Sequence, residues 1–211
     1  MHFYAALTSP LWGGYQLSLC HTADQLASSA LAIIGATCML GASGFYHVLH
    51  WKDEEQEALL ATLDYCGIFM QVAFSLAPCF VLLMPGQVGW CVVAVLGATA
   101  FAGVGLVFSD IPLGRHGLTW IYIAQGAISL APLCTRAFGA EPILNQLTAT
   151  EVQLLLAAAV SYLVGSQIYA HAAPRLWPRC FGFHELWHLL VTLASFCTYR
   201  TNCSLINRMT A

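Results

Sequence analysis

Apolar positions in this chain gather into long runs separated by short polar breaks. Residues 25–49, 58–84, 88–109, 117–137, 151–171 and 183–203 form six such runs, each supplying the ~20 mostly apolar residues a helix needs to cross hydrocarbon. Residues 3–20 form a seventh, weaker run, interrupted by Pro10 and Gly13-Gly14. The breaks are short: Trp51–Glu57, Pro85–Gln87, Asp110–His116, Ala140–Thr150 and Ala172–Gly182. Pro78 and Pro132 fall inside runs and predict kinks, which a bundle tolerates when neighbours satisfy the freed carbonyls. Gly35, Ala36, Gly41, Ala42, Gly97, Ala98, Gly103 and Gly105 are the small residues that let membrane helices approach closely. The pattern predicts an all-α, polytopic transmembrane bundle of seven helices. It predicts a single integral membrane domain over residues 1–211, with no internal repeat and no low-complexity tract.

Composition sharpens this. Hydrophobic residues make up 59% and charged residues 8%, where a soluble domain carries roughly 25% charged residues; mean hydropathy is +0.71. A net charge of −3 provides no basic patch and excludes nucleic acid as a partner; membrane lipids are the expected surroundings. No Lys or Arg precedes Lys52, so a cationic signal peptide is not expected and the first apolar segments are retained. Lys52, Arg115, Arg175 and Arg179 fall on one side of the alternating passes and Arg136, Arg200 and Arg208 on the other. That narrow excess leans towards a cytoplasmic amino terminus. Of nine cysteines, Cys38, Cys66, Cys79, Cys91, Cys134 and Cys197 lie within apolar runs and read as small buried hydrophobes. Cys20, Cys180 and Cys203 lie near segment ends.

Ionisable side chains inside such runs are costly and mark function. His184 and His188 open the last run, with Glu185 between them; positions i and i+4 share a helix face. This is the spacing at which one helix gives two nitrogen ligands to zinc. Ser43 and His47, again four apart, end the 25–49 run, followed by His50, and Asp64 lies near the start of the next. Alternating passes bring these three sets to one membrane face. His47, His184 and His188 would then supply three ligands and leave zinc's fourth position for water, the open form of a catalytic site. Asp64 and Ser43 would hold the water or orient a ligand ring. Asp53, Glu54, Glu55 and Glu57 read as a solvated connector, His50 as interfacial, and His2, His21, His116 and His171 as surface or loop residues without a useful partner.

Ser43-x-x-x-His47, Leu63-Asp64-Tyr65 and Phe181-Gly-Phe-His184-Glu-Leu-Trp-His188 together resemble the haemolysin III family. They are also similar to the progestin and adipoQ receptors and, more distantly, to the alkaline ceramidases. The likeness runs from about residue 25 to 200 with the three blocks in the family's order. It implies zinc ligands at His47, His184 and His188, Asp64 in contact with the water of the site, and Ser43 as a nearby polar partner. It also implies a seven-helix bundle with the metal towards the cytoplasmic side. Where the family often has Gly-Thr-Tyr-Thr-Pro, this chain has Ser75-Leu-Ala-Pro78, which bears on the cavity lining.

The expected function is that of an integral membrane zinc protein hydrolysing a lipid amide or ester, with Asp64 as proton acceptor and Glu185 as the alternative base. A second reading keeps the zinc structural, closed by four protein ligands, in a receptor or regulator that binds a lipid ligand. A third takes His184-Glu185-x-x-His188 as a metalloprotease motif with Glu185 as base. Residues 189–211 contain no Asp or Glu to supply that motif's later ligand. A pore would need a continuous polar face, which these runs lack.

Overall fold

In hydrocarbon a backbone must satisfy its own N–H and C=O groups, so apolar runs of this length close into helices. The computed structural model describes residues 2–109, 111–134, 141–174, 176–177 and 181–210. Asp110, Arg136, Arg175, Arg179 and Cys180, which entered the reading of loops, charge balance and cysteines, lie outside the described residues.

Nine α-helices are found among the described residues: α1 (His2–Leu7), α2 (Ser9–Ser18), α3 (Ala23–Val48), α4 (Glu54–Phe74), α5 (Ala77–Leu83), α6 (Val88–Val107), α7 (Gly114–Cys134), α8 (Ala149–His171) and α9 (Phe183–Thr210). Taking α1 with α2 and α4 with α5, they occupy the seven predicted runs in order. Five segments are long and apolar enough to cross a membrane: α3, α4 continued by α5, α6, α7 and α8. At 28 residues α9 is long enough too, but Thr198, Arg200, Thr201 and Asn202 make its second half more polar. The weak first run is divided at Thr8, where Pro10 opens α2. Gly13-Gly14 continue the helix, and Gly13 packs on Ile33.

Helix starts follow local chemistry. Thr22 caps α3 and Thr148 caps α8, each in a reciprocal box with a side chain three residues on, Gln25 and Glu151, which satisfies the orphan N–H groups of a first turn. The acidic segment differs from expectation. It is not a connector: Asp53 caps α4 through Gln56 N–H at 2.8 Å, and Glu54, Glu55 and Glu57 form its first turn, where carboxylates meet the positive end of the helix.

Pro78 breaks its run as predicted. The chain leaves the helix at Ser75–Leu76 and restarts as α5, and Asn202 of α9 donates to the freed Ser75 carbonyl at 2.9 Å. Pro132 lies within the last turn of α7.

Gly35, one of the small residues noted in the sequence, and Gly67, which was not among them, set the contact between α3 and α4. A Cβ on Gly67 would lie 2.7 Å from Met39 Cα, and one on Gly35 would lie 2.8 Å from the Met70 carbonyl, so α3 and α4 touch backbone to backbone. Gly41 and Gly105, by contrast, face open space. The main core collects Phe69, Phe80, Leu96, Leu133, Ile143 and Leu205. Cys66, Cys79 and Cys197 are buried as read, and so is Cys203. Cys38, Cys91 and Cys134 are exposed on outward helix faces instead.

At one end of the bundle Glu151 is fully buried. It accepts from Arg208 at 3.2 Å and Ser204 at 2.9 Å, tying α8 to α9.

Candidate metal centre

The opposite end gathers the last turns of α3, the middle of α4 and the first turns of α9. Near the end of α3 lie Ser43 and His47, one turn apart on the face turned to α4 and α9. One turn of α9 carries His184 and His188. His188 Nε2 lies 2.8 Å from His184 Nε2, which lies 3.1 Å from His47 Nε2. One ring nitrogen from each of the three falls within 4.8 Å of the others, and this is the group among the described residues able to hold a metal ion.

Three imidazoles form a borderline-soft donor set that suits zinc, copper, iron or nickel rather than calcium or magnesium. Tetrahedral zinc with Zn–N bonds of about 2.0–2.1 Å would hold nitrogens ~3.3 Å apart. The 2.8 and 3.1 Å edges are about 0.5 and 0.2 Å shorter than that, and all three nitrogens lie within 4.8 Å of one another, so side-chain rotation would be needed to seat a zinc ion.

Asp64, at the middle of α4 rather than near its start, places Oδ2 3.7 Å from His47 Nε2. Ser43 is buried with its Oγ beside the Asp64 carboxyl, near enough to interact with it but short of full hydrogen-bond geometry. A buried hydroxyl without a well-aligned partner costs free energy unless water or a ligand satisfies it, so a polar occupant fits this corner. Ser43, His47, Asp64, His184 and His188 all line one cavity of about 180 Å³.

Glu185 stands apart. It is exposed, and its Oε2 accepts the Gly182 N–H at 2.8 Å, capping the start of α9; it does not line the cavity. His50 is exposed beyond the end of α3 and is also outside it.

His2 corrects the sequence expectation of a partnerless surface residue. It is 5% exposed, lines the cavity and contacts His188 ring to ring. His116 and His171 also have a partner, each other, with ring centroids 5.8 Å apart.

Tyr65, Tyr169 and Arg115 complete the surround. The two tyrosine hydroxyls are 3.3 Å apart, and the Arg115 guanidinium stacks over Tyr169 and Phe183 at 5.2 and 5.4 Å. Tyr65 follows Asp64 within a block already singled out. His2, Tyr169 and Arg115 lacked any signal, because nothing in spacing says that α1, α7 and α8 meet α9 there.

A second cavity, of about 350 Å³ and almost wholly apolar, runs between α4, α7, α8 and α9. Ile68, Tyr122, Ser166 and Trp187 belong to the walls of both cavities.

A family model described as "Haemolysin-III related" matches residues 1–199. The chain is 25% identical over 149 residues to Hemolysin-3 of Bacillus cereus, covering 71% of this chain and 61% of that protein. It is 28% identical over 178 residues to the Adiponectin receptor protein of Drosophila melanogaster, covering 79% and 39% respectively. A heptahelical transmembrane protein of Oryza sativa is 26% identical over 180 residues, with 79% and 46% covered. The chain thus spans less than two thirds of the length of these relatives.

Proposed function

From the premise that this chain belongs to the Haemolysin-III related family and is a multi-pass integral membrane protein, we propose that it is a zinc-dependent hydrolase of a lipid amide or ester. The observation that carries the proposal is the asymmetry of the donor set. Three ring nitrogens converge, and the nearby carboxylate stands 3.7 Å from His47 Nε2, outside that group and beside a hydroxyl without a well-aligned partner. A structural zinc site closes with four protein ligands, whereas a catalytic one keeps three and an open position.

His47, His184 and His188 would hold the zinc. Zinc at such a centre polarises a carbonyl and lowers the pKa of water to ≈ 7. Asp64 accepts the proton of the water that attacks the carbonyl carbon and returns it to the leaving nitrogen or oxygen as the C–N or C–O bond breaks, giving the fatty acid and the amine or alcohol; Ser43 Oγ donates a hydrogen bond within the same corner. Glu185 caps α9 and lies outside the cavity, which favours Asp64 as the base and speaks against the metalloprotease reading. The apolar cavity that shares walls with the metal cavity suits an acyl chain, placing a carbonyl at its polar end.

The test uses full-length protein purified in detergent, assayed for metal content and for fatty-acid release from N-acyl and O-acyl lipids in mixed micelles. Stoichiometric zinc lost in His188→Ala, with release abolished in zinc-retaining Asp64→Asn, is the expected result. A zinc-loaded wild type that releases no fatty acid overturns the hydrolase and leaves a receptor or regulator.

A further inference from the structure

We infer that His2 is a positioning residue that fixes the tautomer of His188, presenting the Nε2 lone pair of His188 to the metal; this rests on the zinc reading above. His2 is not one of the three convergent donors. It approaches His188 from behind, with His188 Nδ1 2.8 Å from His2 Nδ1 and 3.2 Å from His2 Nε2. His2 Nε2 is also 3.2 Å from the His188 carbonyl oxygen.

The proton placement follows by elimination for two neutral rings, each with one N–H and one bare nitrogen. Were His2 to carry its proton on Nδ1, its bare Nε2 would face a carbonyl lone pair. Were His2 Nε2–H to donate to His188 Nδ1, two bare Nδ1 atoms would meet at 2.8 Å. A single arrangement leaves no clash: His2 Nε2–H donates to the His188 carbonyl, and His188 Nδ1–H donates to His2 Nδ1. The imidazole of His188 then has its lone pair on Nε2, the atom 2.8 Å from His184 Nε2. A metal-bound histidine with its other N–H engaged in this way has its ring orientation and tautomer set by the partner.

The fold seats His2 firmly. A Cβ on Gly44 would lie 2.7 Å from Phe3 Cα, so α1 lies directly on α3 beside the site.

Two substitutions separate orientation from packing. In His2→Asn the Oδ1 atom takes the place of Nδ1 and still accepts from His188; His2→Leu has the same shape without an acceptor. Zinc affinity of the detergent-purified full chain, measured by competition with a chromophoric chelator, is expected to fall ~10–100-fold in His2→Leu and to stay close to wild type in His2→Asn. Equal affinity in His2→Leu and wild type overturns the inference, and so does an equal loss in both variants. A wild type that takes up no zinc overturns the zinc reading instead. Nitrogen-15 shifts of the metal-free, unsubstituted protein then decide the orientation independently, and they also decide it should His2→Leu fail to fold. Protonation of His188 at Nδ1 supports the inference; protonation at Nε2 overturns it.

Discussion

His47 and Asp64 stand on consecutive helices with Nε2 and Oδ2 3.7 Å apart. The pairing depends on what lies beneath it: Gly67, one turn after Asp64, rests against the backbone of Met39. That contact lets α3 and α4 lie close enough for Asp64 on one to reach His47 on the other.

Asp64→Asn is therefore expected to retain zinc while lowering lipid hydrolysis about 10²–10⁴-fold, the usual scale of a lost general base. Glu185→Ala should leave turnover unchanged and cost about 1 kcal/mol, one helix-capping hydrogen bond. Metal content and initial rates on both variants decide between the two carboxylates. A larger rate loss in Glu185→Ala would return the base to that residue.

Gly67→Ala puts a methyl group 2.7 Å from Met39 Cα, a backbone atom that cannot swing aside. The expected cost is about 1–3 kcal/mol of overpacking, together with a fall in turnover as α4 carries Asp64 away from His47. Thermal unfolding in detergent and the hydrolysis rate check the two effects. An unchanged rate would show that the spacing of the two helices is not what sets Asp64.

Gly126 lines the apolar cavity with nothing within 4 Å of the Cβ it lacks. Gly126→Phe should fill that space without strain and keep zinc binding. Turnover of long-chain lipids should drop while that of short-chain analogues persists. Equal turnover of both would remove this cavity from the substrate path.

At the far end, Glu151→Ala removes the carboxylate that holds Arg208 and Ser204. The expected loss is about 2–3 kcal/mol, in the range of hydrogen bonds to a charged group, seen as a lower melting temperature at unchanged zinc stoichiometry. Zinc affinity should weaken while stoichiometry holds; an unchanged affinity would mean that the far anchor of α9 plays no part in holding the histidines in place.

Much of this arrangement was legible in the sequence. Run lengths located the helices, because lipid forces each span to close its own hydrogen bonds. Alternation of passes was enough to bring His47, Asp64 and the His184–His188 pair to one end. What stayed hidden depended on packing between distant helices. His2 reads as an ordinary polar residue until α1 is laid on Gly44. That the Glu185 carboxylate caps α9 on the Gly182 N–H could not be read from its spacing. Glu151 sits in a helix-start motif that signals a cap, and nothing local reports that Arg208, on another helix, closes over it.

The ion pair to Arg208 has a consequence for the histidines. It pins the distal end of α9 some 30 Å from His188, by the rise of 1.5 Å per residue, while the contacts around His2 pin the proximal end. A rod fastened at both extremities can neither slide nor turn to collect its ligand, so the nitrogens are preorganised before any cation arrives. Capture should then proceed without coupled folding, unlike the small zinc modules that are unstructured until loaded. The circular dichroism of the empty and the loaded protein should superimpose.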